Sequence, residues 1–454
     1  MEEVAEITSA LPSKPLCLVD TYGCQQNEAD SEKIRGMLLR MGYELTGSEA
    51  EADVIVINTC AIREHAEQRV FGNLGALVHT KRNKPGQIIC LCGCMAQEPH
   101  VAQRVRESYR HVDMVFGPHE LWRFPEFLKK VLTKGGRIFA VESSEGAIAE
   151  GLPLHRDGSV KAWLSIMYGC NNFCTYCIVP HVRGRERSRR EEDILSEARG
   201  LVAAGYKDIT LLGQNVNSYG KDIQGGADFS DLIRKINDIP GDFRIRFMTS
   251  HPRDAGEKLF RTMAECEKCA KHIHLPFQSG SDRILKLMNR HYDLARYKEL
   301  VAMARSYMPD IVLTSDVIVG FPGETEEDFE GTMDLVRSVR YDALFTFIFS
   351  PRKGTPAYSM PDPFTRQEKQ QRFDRLVSLQ NSISEEKHRQ YVGGTYRVLC
   401  DGAEGDLLTG RTDGGRLVRF AGPESLIGSF LPVRITSSST WALGGQIEKG
   451  EANG

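Results

Sequence analysis

The sequence has no run of 18 consecutive apolar residues, so we expect no transmembrane helix. It also lacks the basic-then-apolar pattern of a secretory signal at residues 1–6, which predicts a cytoplasmic protein. The net charge of −3 is too small to predict a polyanionic partner from overall composition. Internal repeats and low-complexity tracts are missing too, which excludes a repeat architecture.

Cysteine, in contrast, is abundant: the 454 residues include 12 of them. In a cytoplasmic chain this number favours metal binding over disulfides. The composition, 41% hydrophobic and 26% charged, is that of an ordinary globular protein. The length is enough for about two to four domains.

Three of the cysteines, Cys170, Cys174 and Cys177, have the spacing C-x3-C-x2-C. Three thiolates this close can hold one face of a cubic iron–sulfur cluster and leave the fourth iron without a protein ligand. Such an open metal position can bind a substrate. A zinc site of three cysteines and His181 is the alternative interpretation. Buried structural thiols are a weaker alternative, since the stretch reads as a loop rich in glycine and asparagine.

The segment up to about residue 130 alternates apolar runs with amphipathic stretches, which predicts an open parallel α/β sheet. Cys24, Cys60 and Cys94 each follow the end of a different predicted strand. Because the carboxyl ends of parallel strands share one edge, where ligands bind, we expect these thiols to converge on a second site. The predicted strands are Pro15–Thr21, Asp53–Asn58, Gln87–Cys92 and Asp113–Phe116, and the predicted helices are Glu28–Met41, Arg63–Thr80 and Glu120–Leu132.

Residues 133–155 read as a connection between domains, and the alternation resumes from about 160 to 352. Six β/α units predict a partial (β/α)6 barrel of the TIM type, with its active site at the carboxyl ends of the strands. The three-cysteine loop follows the first of these strands. The predicted strands are Ala162–Met167, Asp208–Gly213, Arg244–Thr249, His272–Leu275, Val312–Ile318 and Ala343–Phe349, and the predicted helices are Glu192–Ala204, Leu294–Met308 and Glu326–Val339.

The last part of the chain predicts a bridging helix over residues 364–390. Short apolar runs and many glycines over residues 394–448 then predict a small antiparallel β-barrel of the oligonucleotide-binding sort. The predicted strands are Tyr396–Cys400, Leu407–Thr409, Leu417–Phe420 and Leu431–Thr436.

Several motifs, in one order, resemble those of the radical S-adenosylmethionine methylthiotransferases. The loop Gly169–Cys177 resembles the cluster motif of radical S-adenosylmethionine enzymes. The segments Thr21–Asn27, Asn58–Glu64 and Cys92–Gln97 are similar to the family's amino-terminal domain, and the tail is similar to a TRAM domain. The resemblance implies a domain holding an auxiliary cluster over residues 14–132, a radical S-adenosylmethionine core over 156–386 and an RNA-binding TRAM barrel over 389–452.

The resemblance also implies two 4Fe–4S clusters. The open iron of the first would bind S-adenosylmethionine, and the auxiliary cluster would carry the inserted sulfur. Two molecules of S-adenosylmethionine are implied per turnover, one methylating the sulfur and one forming an adenosyl radical. No side chain is expected to act as a catalytic acid or base. The implied ligands are Cys170, Cys174 and Cys177 for the first cluster and Cys24, Cys60 and Cys94 for the auxiliary cluster.

Contacts to the cosubstrate are expected at the ends of the barrel strands. Tyr176 matches the aromatic residue that lies near the adenine in such enzymes. Gln214 and Asn215 end the second strand, and Asp316 and Gly320 end the fifth. Glycine there permits close backbone approach. The alternative for this turn is a tight strand-to-helix connection capped by the threonine that follows.

Five arginines fall within eight residues directly after the cluster loop: Arg183, Arg185, Arg187, Arg189 and Arg190. A charge run is often only a solvated face. Its position beside the expected active site favours contact with RNA phosphates. Cys266 and Cys269 form a lone C-x2-C pair, for which a surface or packing role is favoured over a redox or metal role.

Within the family, residues 61–67 and 213–220 are similar to the bacterial branch that methylthiolates isopentenylated adenosine in tRNA. The implied reaction places a methylthio group on adenine C2 of N6-isopentenyladenosine next to the anticodon. The alternatives are threonylcarbamoyl-adenosine in tRNA, a ribosomal protein aspartate or, from another class, a non-catalytic RNA-binding zinc protein. The implied partners are the tRNA anticodon stem-loop, an electron donor such as flavodoxin or ferredoxin, and iron–sulfur and sulfur delivery proteins, with no membrane.

Overall fold

The structure is a computed structural model, which describes residues 1–61, 64–141 and 148–448. The chain forms two compact units. The first comprises Met1–Asp157, Met167–Phe173 and Cys177–Arg189, and the second comprises Gly158–Ile166, Cys174–Tyr176 and Arg190–Gly454. In the described part of the chain, no helix combines the length and apolar character needed to cross a bilayer.

The strands are β1 Leu16–Tyr22, β2 Glu44–Leu45, β3 Val54–Thr59, β4 Ile88–Gly93, β5 Met114–Phe116, β6 Ile138–Ala140, β7 Lys161–Ser165, β8 Met167–Tyr168, β9 Arg187–Ser188, β10 Asp208–Leu212, β11 Arg244–Phe247, β12 His272–His274, β13 Val312–Val319, β14 Ala343–Ile348, β15 Thr395–Glu404, β16 Leu407–Arg411, β17 Leu417–Phe420, β18 Phe430–Ser438 and β19 Leu443–Ile447.

The α-helices are α1 Glu2–Ser9, α2 Gln25–Arg40, α3 Glu64–Asn83, α4 Pro99–Ser108, α5 Phe124–Lys134, α6 Val179–Val182, α7 Glu191–Ala203, α8 Phe229–Asn237, α9 Glu257–Glu265, α10 Asp282–Leu287, α11 Leu294–Tyr307, α12 Glu326–Val339 and α13 Arg366–Arg389. Short 3-10 helices occur at Pro118–Arg123, Val216–Ser218, Pro356–Ser359 and Glu424–Leu426.

The first unit is built on a six-stranded parallel sheet in the order β2-β1-β3-β4-β5-β6. Alternate residues of the central strands enter two separate cores, one on each face: Val54 and Val56 join the first, and Ile55 and Ile57 join the second. Burial on both faces explains why these strands are continuously apolar. The predicted open parallel α/β sheet is therefore confirmed.

The segment predicted as a connection, residues 133–155, contains a strand that was not predicted. Residues Ile138–Ala140 pair with β5 in parallel and form the sixth strand of the sheet. Residues 142–147 of the same segment lie outside the described residues.

The second unit contains the six predicted parallel strands of the partial barrel. They form two three-stranded sheets, β7-β10-β11 and β12-β13-β14. A bridge between Ile245 and Cys269 joins β11 to the segment that leads into β12, and the N–H of Ile245 donates to the carbonyl oxygen of Lys268 at 2.8 Å. The strands thus follow one another in chain order, as the alternation predicted.

The carboxy-terminal strands of the second unit form a closed barrel in the order β15-β16-β17-β19-β18. The predicted small barrel is confirmed, with one addition: β17 and β19 pair in parallel, whereas the other pairs are antiparallel. Residues 449–452 of the predicted domain lie outside the described residues.

This small barrel is fastened within the second unit to the starts of the parallel strands. The guanidinium groups of Arg244 and Arg246 donate to the main-chain carbonyls of Thr412 and Asp413, at 3.2 and 2.9 Å respectively. The N–H of Lys271 donates to the Asp413 carboxylate at 2.8 Å. These contacts lie at the amino ends of β11 and β12, opposite the strand ends where active sites of such barrels lie.

Tryptophan is scarce, and each part of the fold carries one of the three. Trp122 lies in the first unit and is 45% exposed. Trp163 lies on β7, partly buried, and Trp441 lies on the small barrel with 71% of its surface exposed.

Candidate functional site

The first unit places Cys24, Cys60 and Cys94 just beyond the ends of the adjacent strands β1, β3 and β4. The hydrogen bonds of the parallel sheet continue one residue past β3 and β4. The N–H of Cys60 donates to the carbonyl oxygen of Tyr22 at 2.9 Å, and the N–H of Cys94 donates to the carbonyl oxygen of Thr59 at 2.8 Å. All three cysteines therefore begin loops on one edge of the sheet, as the sequence predicted.

The three thiols meet around a buried arginine. Cys24 shares a side-chain hydrogen bond with Cys60, which lowers the pKa of the Cys24 thiol to about 5 with help from the Arg183 charge. The Nε of Arg183 donates to Cys94 Sγ at 3.0 Å, and its Nη2 pairs with Asp30 at 2.8 Å. Burial outweighs this cation at Cys94 and raises its pKa to about 11.

A buried asparagine network supports this edge. Asn27 Nδ2 donates to Asn58 Oδ1 at 3.2 Å and to the Thr59 carbonyl at 3.1 Å, and Asn58 Nδ2 donates back to the Asn27 carbonyl at 2.8 Å. Gly93 has φ of +92°, and a Cβ there would lie 2.3 Å from Asn58 Oδ1. These asparagines belong to the motifs quoted above, but nothing in the sequence indicates that they pair with each other across two elements.

Cys170 and Cys177 of the C-x3-C-x2-C motif also belong to the first unit. Cys170 is buried, and its N–H donates to the Gly184 carbonyl at 3.1 Å. Gly169 has φ of +79°, and a Cβ there would lie 2.0 Å from the Arg185 carbonyl oxygen, so only glycine fits. The paired strands β8 and β9 hold this loop closed, and Cys177 is half-buried.

Cys174 and Tyr176 belong to the second unit, where a residue that the sequence did not indicate contacts both. Arg290 Nη1 donates to Cys174 Sγ at 3.3 Å and to the Tyr176 hydroxyl oxygen at 3.4 Å. Arg290 is far from the cysteine loop in the chain and has no motif of its own. A lone arginine between two turn residues carries no signal that sequence reasoning can use.

The zinc alternative depends on His181. Its side chain is exposed, and its ring lies edge-on to Phe173 with a centroid distance of 6.3 Å. Among residues 1–61, 67–141 and 148–448, no three or more His, Cys, Asp and Glu side chains gather around a position for a single metal ion.

The expected cosubstrate residues lie in the second unit. Asn215 is buried, and its Nδ2 donates to Asp254 at 2.7 Å, while Gln214 beside it is partly buried. Asp316 is half-buried, and its carboxylate lies 3.3 Å from His274 Nε2. The Asp316 carboxylate is thus a polar partner for the imidazole ring of the buried His274.

Gly320 begins a strained turn whose backbone is held by a buried acid. Its φ is +70°, and its N–H donates to Glu324 Oε2 at 2.8 Å. Glu324 also accepts from Arg372 at 3.2 Å, yet burial raises the pKa of Glu324 to about 7. Thr325 caps α12 through a hydrogen bond with Asp328, as the alternative interpretation of this turn expected. The turn is thus a capped connection, and the Lys369 side chain lies 2.5 Å from where a Cβ at Gly320 would be.

The five arginines do not share one surface. Arg185 and Arg190 are exposed, whereas Arg183 and Arg189 are 4% and 7% exposed. The guanidinium groups of the buried two are taken by Asp30 and Glu150, so the expectation that they contact RNA is corrected. Arg187 lines a pocket of the first unit together with Lys33, His119, Trp122 and Arg183.

Cys266 and Cys269 pack inside the second unit, at 3% and 0% exposure. Burial raises the pKa of the Cys269 thiol to about 12, and no third His, Cys, Asp or Glu gathers with the pair among the described residues to hold a metal ion. The packing role is therefore the one that the structure supports.

Both sets of three cysteines fit an iron–sulfur cluster. Each set offers sulfur donors only, and each includes a sulfur that accepts a hydrogen bond from a buried guanidinium group. Arg183 is also paired with Asp30, but Arg290 beside a neutral thiol would be a poorly compensated buried cation, whereas a cluster thiolate supplies negative charge.

Comparisons with known proteins identify three parts of the chain. Residues 164–336 match the Radical SAM superfamily, residues 17–117 match the Uncharacterized protein family UPF0004, and residues 389–447 match the TRAM domain. Among solved structures, the radical S-adenosylmethionine methyltransferase TsrM from Kitasatospora setae, with cobalamin and a [4Fe-4S] cluster bound, is similar in fold with a TM-score of 0.55 at 13% identity. That match covers 89% of this chain and 82% of TsrM.

Curated relatives are similar over almost the whole length. The tRNA-2-methylthio-N(6)-dimethylallyladenosine synthase of Acetivibrio thermocellus is 51% identical over 437 residues, covering 96% of this chain and 91% of the relative. The protein of the same name from Clostridium beijerinckii is 49% identical over 452 residues, covering 98% and 99%. The chain belongs to the family of tRNA-2-methylthio-N(6)-dimethylallyladenosine synthases.

Proposed function

We propose that this protein methylthiolates N6-isopentenyladenosine next to the anticodon in tRNA, at adenine C2, giving 2-methylthio-N6-isopentenyladenosine. The observation that carries the proposal is the second set of thiols. Cys24, Cys60 and Cys94 meet around Arg183 at the ligand edge of a sheet, separate in sequence from the C-x3-C-x2-C motif. A single cluster suffices for radical formation, so a second set of thiols indicates sulfur insertion.

The proposal assigns two 4Fe–4S clusters, one to Cys170, Cys174 and Cys177 and one to the second set. Clusters of this kind with S-adenosylmethionine supply the one-electron chemistry needed at an inert aromatic C–H. The family match already implies one such cluster and S-adenosylmethionine, two molecules of which the proposal requires per turnover.

The protein's own residues would bind and orient the cosubstrate. Gln214 and Asn215, the latter held by Asp254, follow the end of β10, and Asp316 presents its carboxylate from β13. Gly320 is proposed as a backbone contact to the adenine; its N–H donates to Glu324, and the Lys369 side chain lies where a Cβ would point. Tyr176, anchored by Arg290, is proposed as the aromatic contact to adenine.

RNA would be bound by the exposed arginines and the small barrel. Arg185 and Arg190 have exposed side chains for backbone phosphates, Arg190 being also paired with Asp193 at 2.8 Å, and Arg187 lines a pocket in the first unit. The TRAM domain match supports an RNA substrate, and the proposal narrows it to the anticodon stem-loop. The electron donor is proposed to be a flavodoxin or ferredoxin, with iron–sulfur and sulfur delivery proteins renewing the clusters in the cytoplasm.

The test is an anaerobic reaction of the reconstituted chain with a defined anticodon stem-loop carrying N6-isopentenyladenosine. We expect the modified nucleoside to gain one methylthio group by mass spectrometry. The matched substrates are the same stem-loop carrying threonylcarbamoyl-adenosine and a ribosomal protein peptide carrying the target aspartate. Product from either of these alone would transfer the assignment to that substrate, and a colourless zinc protein without product would refute catalysis.

A further inference from the structure

Two buried arginines each donate a hydrogen bond to one cysteine sulfur, and each serves a different set of three thiols. Arg183 Nε lies 3.0 Å from Cys94 Sγ, and Arg290 Nη1 lies 3.3 Å from Cys174 Sγ. Both arginines are 4% exposed. Arginine is almost never this buried unless it is paired, so each of these positions needs a physical explanation.

The two differ in how their charge is balanced. Arg183 forms an ion pair with Asp30 at 2.8 Å. The hydrogen bonds of Arg290 end instead on a sulfur, two phenol oxygens and a main-chain carbonyl. Among residues 1–61, 67–141 and 148–448, no carboxylate forms an ion pair with Arg290. An uncompensated buried cation costs several kcal/mol, roughly, so a negative group should complete this site.

The backbone around Arg290 is fixed in an unusual conformation. Asn289 and His291, on either side, both have left-handed φ values of 58° and 55°. Such values persist where the surroundings determine them, and they cluster at functional sites. The carbonyl of Met288 accepts from the N–H of Thr175 at 3.0 Å, which ties this turn to the cysteine loop. The surrounding backbone therefore fixes the orientation of the Arg290 guanidinium group toward Cys174.

We propose that Arg290 is a positioning residue for Cys174 and Tyr176, and that its unbalanced positive charge makes the cluster on Cys170, Cys174 and Cys177 easier to reduce. The inference rests on the proposed function, because it assumes that this set holds a cluster. Reduction adds one electron, from a low-potential one-electron donor, and so adds one negative charge beside the cation. Hydrogen bonds to the sulfurs raise the potential of such clusters.

Arg183 provides the comparison within the same protein. Asp30 already neutralises its charge, so its effect on the potential of its own cluster should be smaller. The chain therefore has two contacts between a buried arginine and a cysteine sulfur. The charge of Arg183 is neutralised by a carboxylate and, within the described residues, the charge of Arg290 is not. The Arg290 contact serves the cluster that must accept an electron before S-adenosylmethionine can be cleaved.

The test is a potentiometric titration of the anaerobically reconstituted full chain. Electron paramagnetic resonance monitors the reduced cluster on Cys170, Cys174 and Cys177, which is recognised because its signal changes when S-adenosylmethionine is added. For Arg290→Gln we expect unchanged iron content and at least a tenfold lower ratio of reduced to oxidised cluster at a fixed potential. For a one-electron couple, tenfold equals about 59 mV. Arg290→Lys keeps the charge and should return the ratio to within about threefold of the wild type.

Arg416→Gln is the matched control, because Arg416 is also a buried arginine of the second unit but is paired with Asp342 at the small barrel. It should leave the ratio unchanged. If Arg290→Gln does not fold, Tyr292→Glu decides, since it places a carboxylate at the position that accepts from Arg290 Nε at 3.2 Å. That change should lower the ratio as much as Arg290→Gln.

A wild-type ratio in Arg290→Gln, or in Tyr292→Glu where it is the deciding variant, would overturn the inference while leaving the proposed function intact. A wild-type protein without any reducible cluster signal would instead refute the proposed function.

Discussion

The chemistry at the residue scale is set by which sulfurs face a cation. Cys94 and Cys174 accept hydrogen bonds from guanidinium groups, whereas Cys266 and Cys269 are buried, and burial is the main influence on the pKa of each thiol. Burial alone raises a thiol pKa, and a nearby cation opposes this effect. The structure therefore separates metal-binding candidates from packing cysteines by their partners, which the spacing alone could only suggest.

Substitution of single cysteines should remove one cluster at a time. Cys170→Ala and Cys60→Ala should each hold about half of the wild-type iron after reconstitution, because a cubane needs its thiolate ligands. Cys94→Ala should still cleave S-adenosylmethionine without inserting sulfur. The measurements are iron content and nucleoside analysis.

Cys400→Ala is the matched control, since Cys400 is buried in the core of the small barrel. It should keep the wild-type iron content. Methylthiolated product at wild-type level from Cys94→Ala would contradict a second cluster at these thiols.

At the residue scale, the sequence predicted that Cys24, Cys60 and Cys94 lie at strand ends on one edge of the sheet, and it did not predict the residues that support them. The six cysteines could be named from spacing, strand ends and resemblance. Arg290 and Asp30 could not, because their roles depend on contacts between distant parts of the chain. The run of arginines predicted an RNA contact for all five members. Arg183 and Arg189 are instead buried and paired with carboxylates, which a charge run in the sequence does not reveal.

At the scale of elements, the end of β4 positions Cys94. Gly93→Ala should destabilise the chain by about 3 kcal/mol, because alanine is strained at φ of +92° and its Cβ would collide with Asn58 and Thr59. Displacement of the loop should also lower iron uptake at the second set of thiols. Urea unfolding and iron analysis measure the two effects.

Gly86→Ala, just before the same strand, is the matched control. A Cβ there meets nothing within 4 Å, so the free energy of unfolding should change by less than about 0.5 kcal/mol. Equal behaviour of the two variants would show that the backbone at Gly93 is not constrained as described.

The turn between β13 and α12 should make stability depend on pH through Glu324. Its pKa is raised from 4.5 to about 7, so the folded state holds the proton more tightly than the unfolded state. The stability contributed by this group is fully present below pH 4.5 and is lost as pH rises through 7. Glu324→Gln should remove this loss.

Compared with the wild type, Glu324→Gln should therefore gain about 2 kcal/mol of unfolding free energy between pH 5 and pH 8. Chemical denaturation at both pH values measures this difference. The exposed Glu327→Gln in the same region should show no such gain. Parallel pH profiles for Glu324→Gln and the wild type would contradict the raised pKa.

Elements with strong periodicity could be predicted, and elements defined by pairing could not. The helices α7, α11 and α12 fall within a residue of their predicted bounds. The apolar spacing of Phe229, Leu232, Ile233 and Ile236 in α8 was an available signal that was missed. In contrast, β19 contains two glycines and forms because it closes the barrel between β17 and β18.

At the scale of the whole molecule, the second unit is held together by a buried charge cluster between the small barrel and the parallel strands. Asp342 is 5% exposed and accepts from Arg416, from Lys387 at 2.9 Å and from the N–H of Leu313 at 2.9 Å. Removing the carboxylate would leave the buried Arg416 and the partly buried Lys387 without this counter-ion.

Asp342→Asn should therefore cost about 3 kcal/mol of unfolding free energy and loosen the small barrel. The matched control is Asp242→Asn, whose partner Arg397 also links the barrel to this unit, but with both side chains more than half exposed. That change should cost less than about 0.5 kcal/mol. Urea unfolding compares them, and equal costs would show that the buried cluster is not what holds the barrel.

The distribution of tryptophan has a practical consequence for measuring these events separately. Trp122 lies in the first unit. Trp163 lies on β7 and Trp441 on the small barrel, both within the second unit. Replacing any two of them with phenylalanine leaves a single tryptophan, so three such double variants place the fluorophore in each of these three parts of the fold in turn, with no label to attach. In the variant that keeps Trp441, the fluorescence should be quenched or shifted in wavelength when a stem-loop binds the small barrel. The variants that keep Trp122 or Trp163 then report whether the first unit or the parallel strands of the second unit respond.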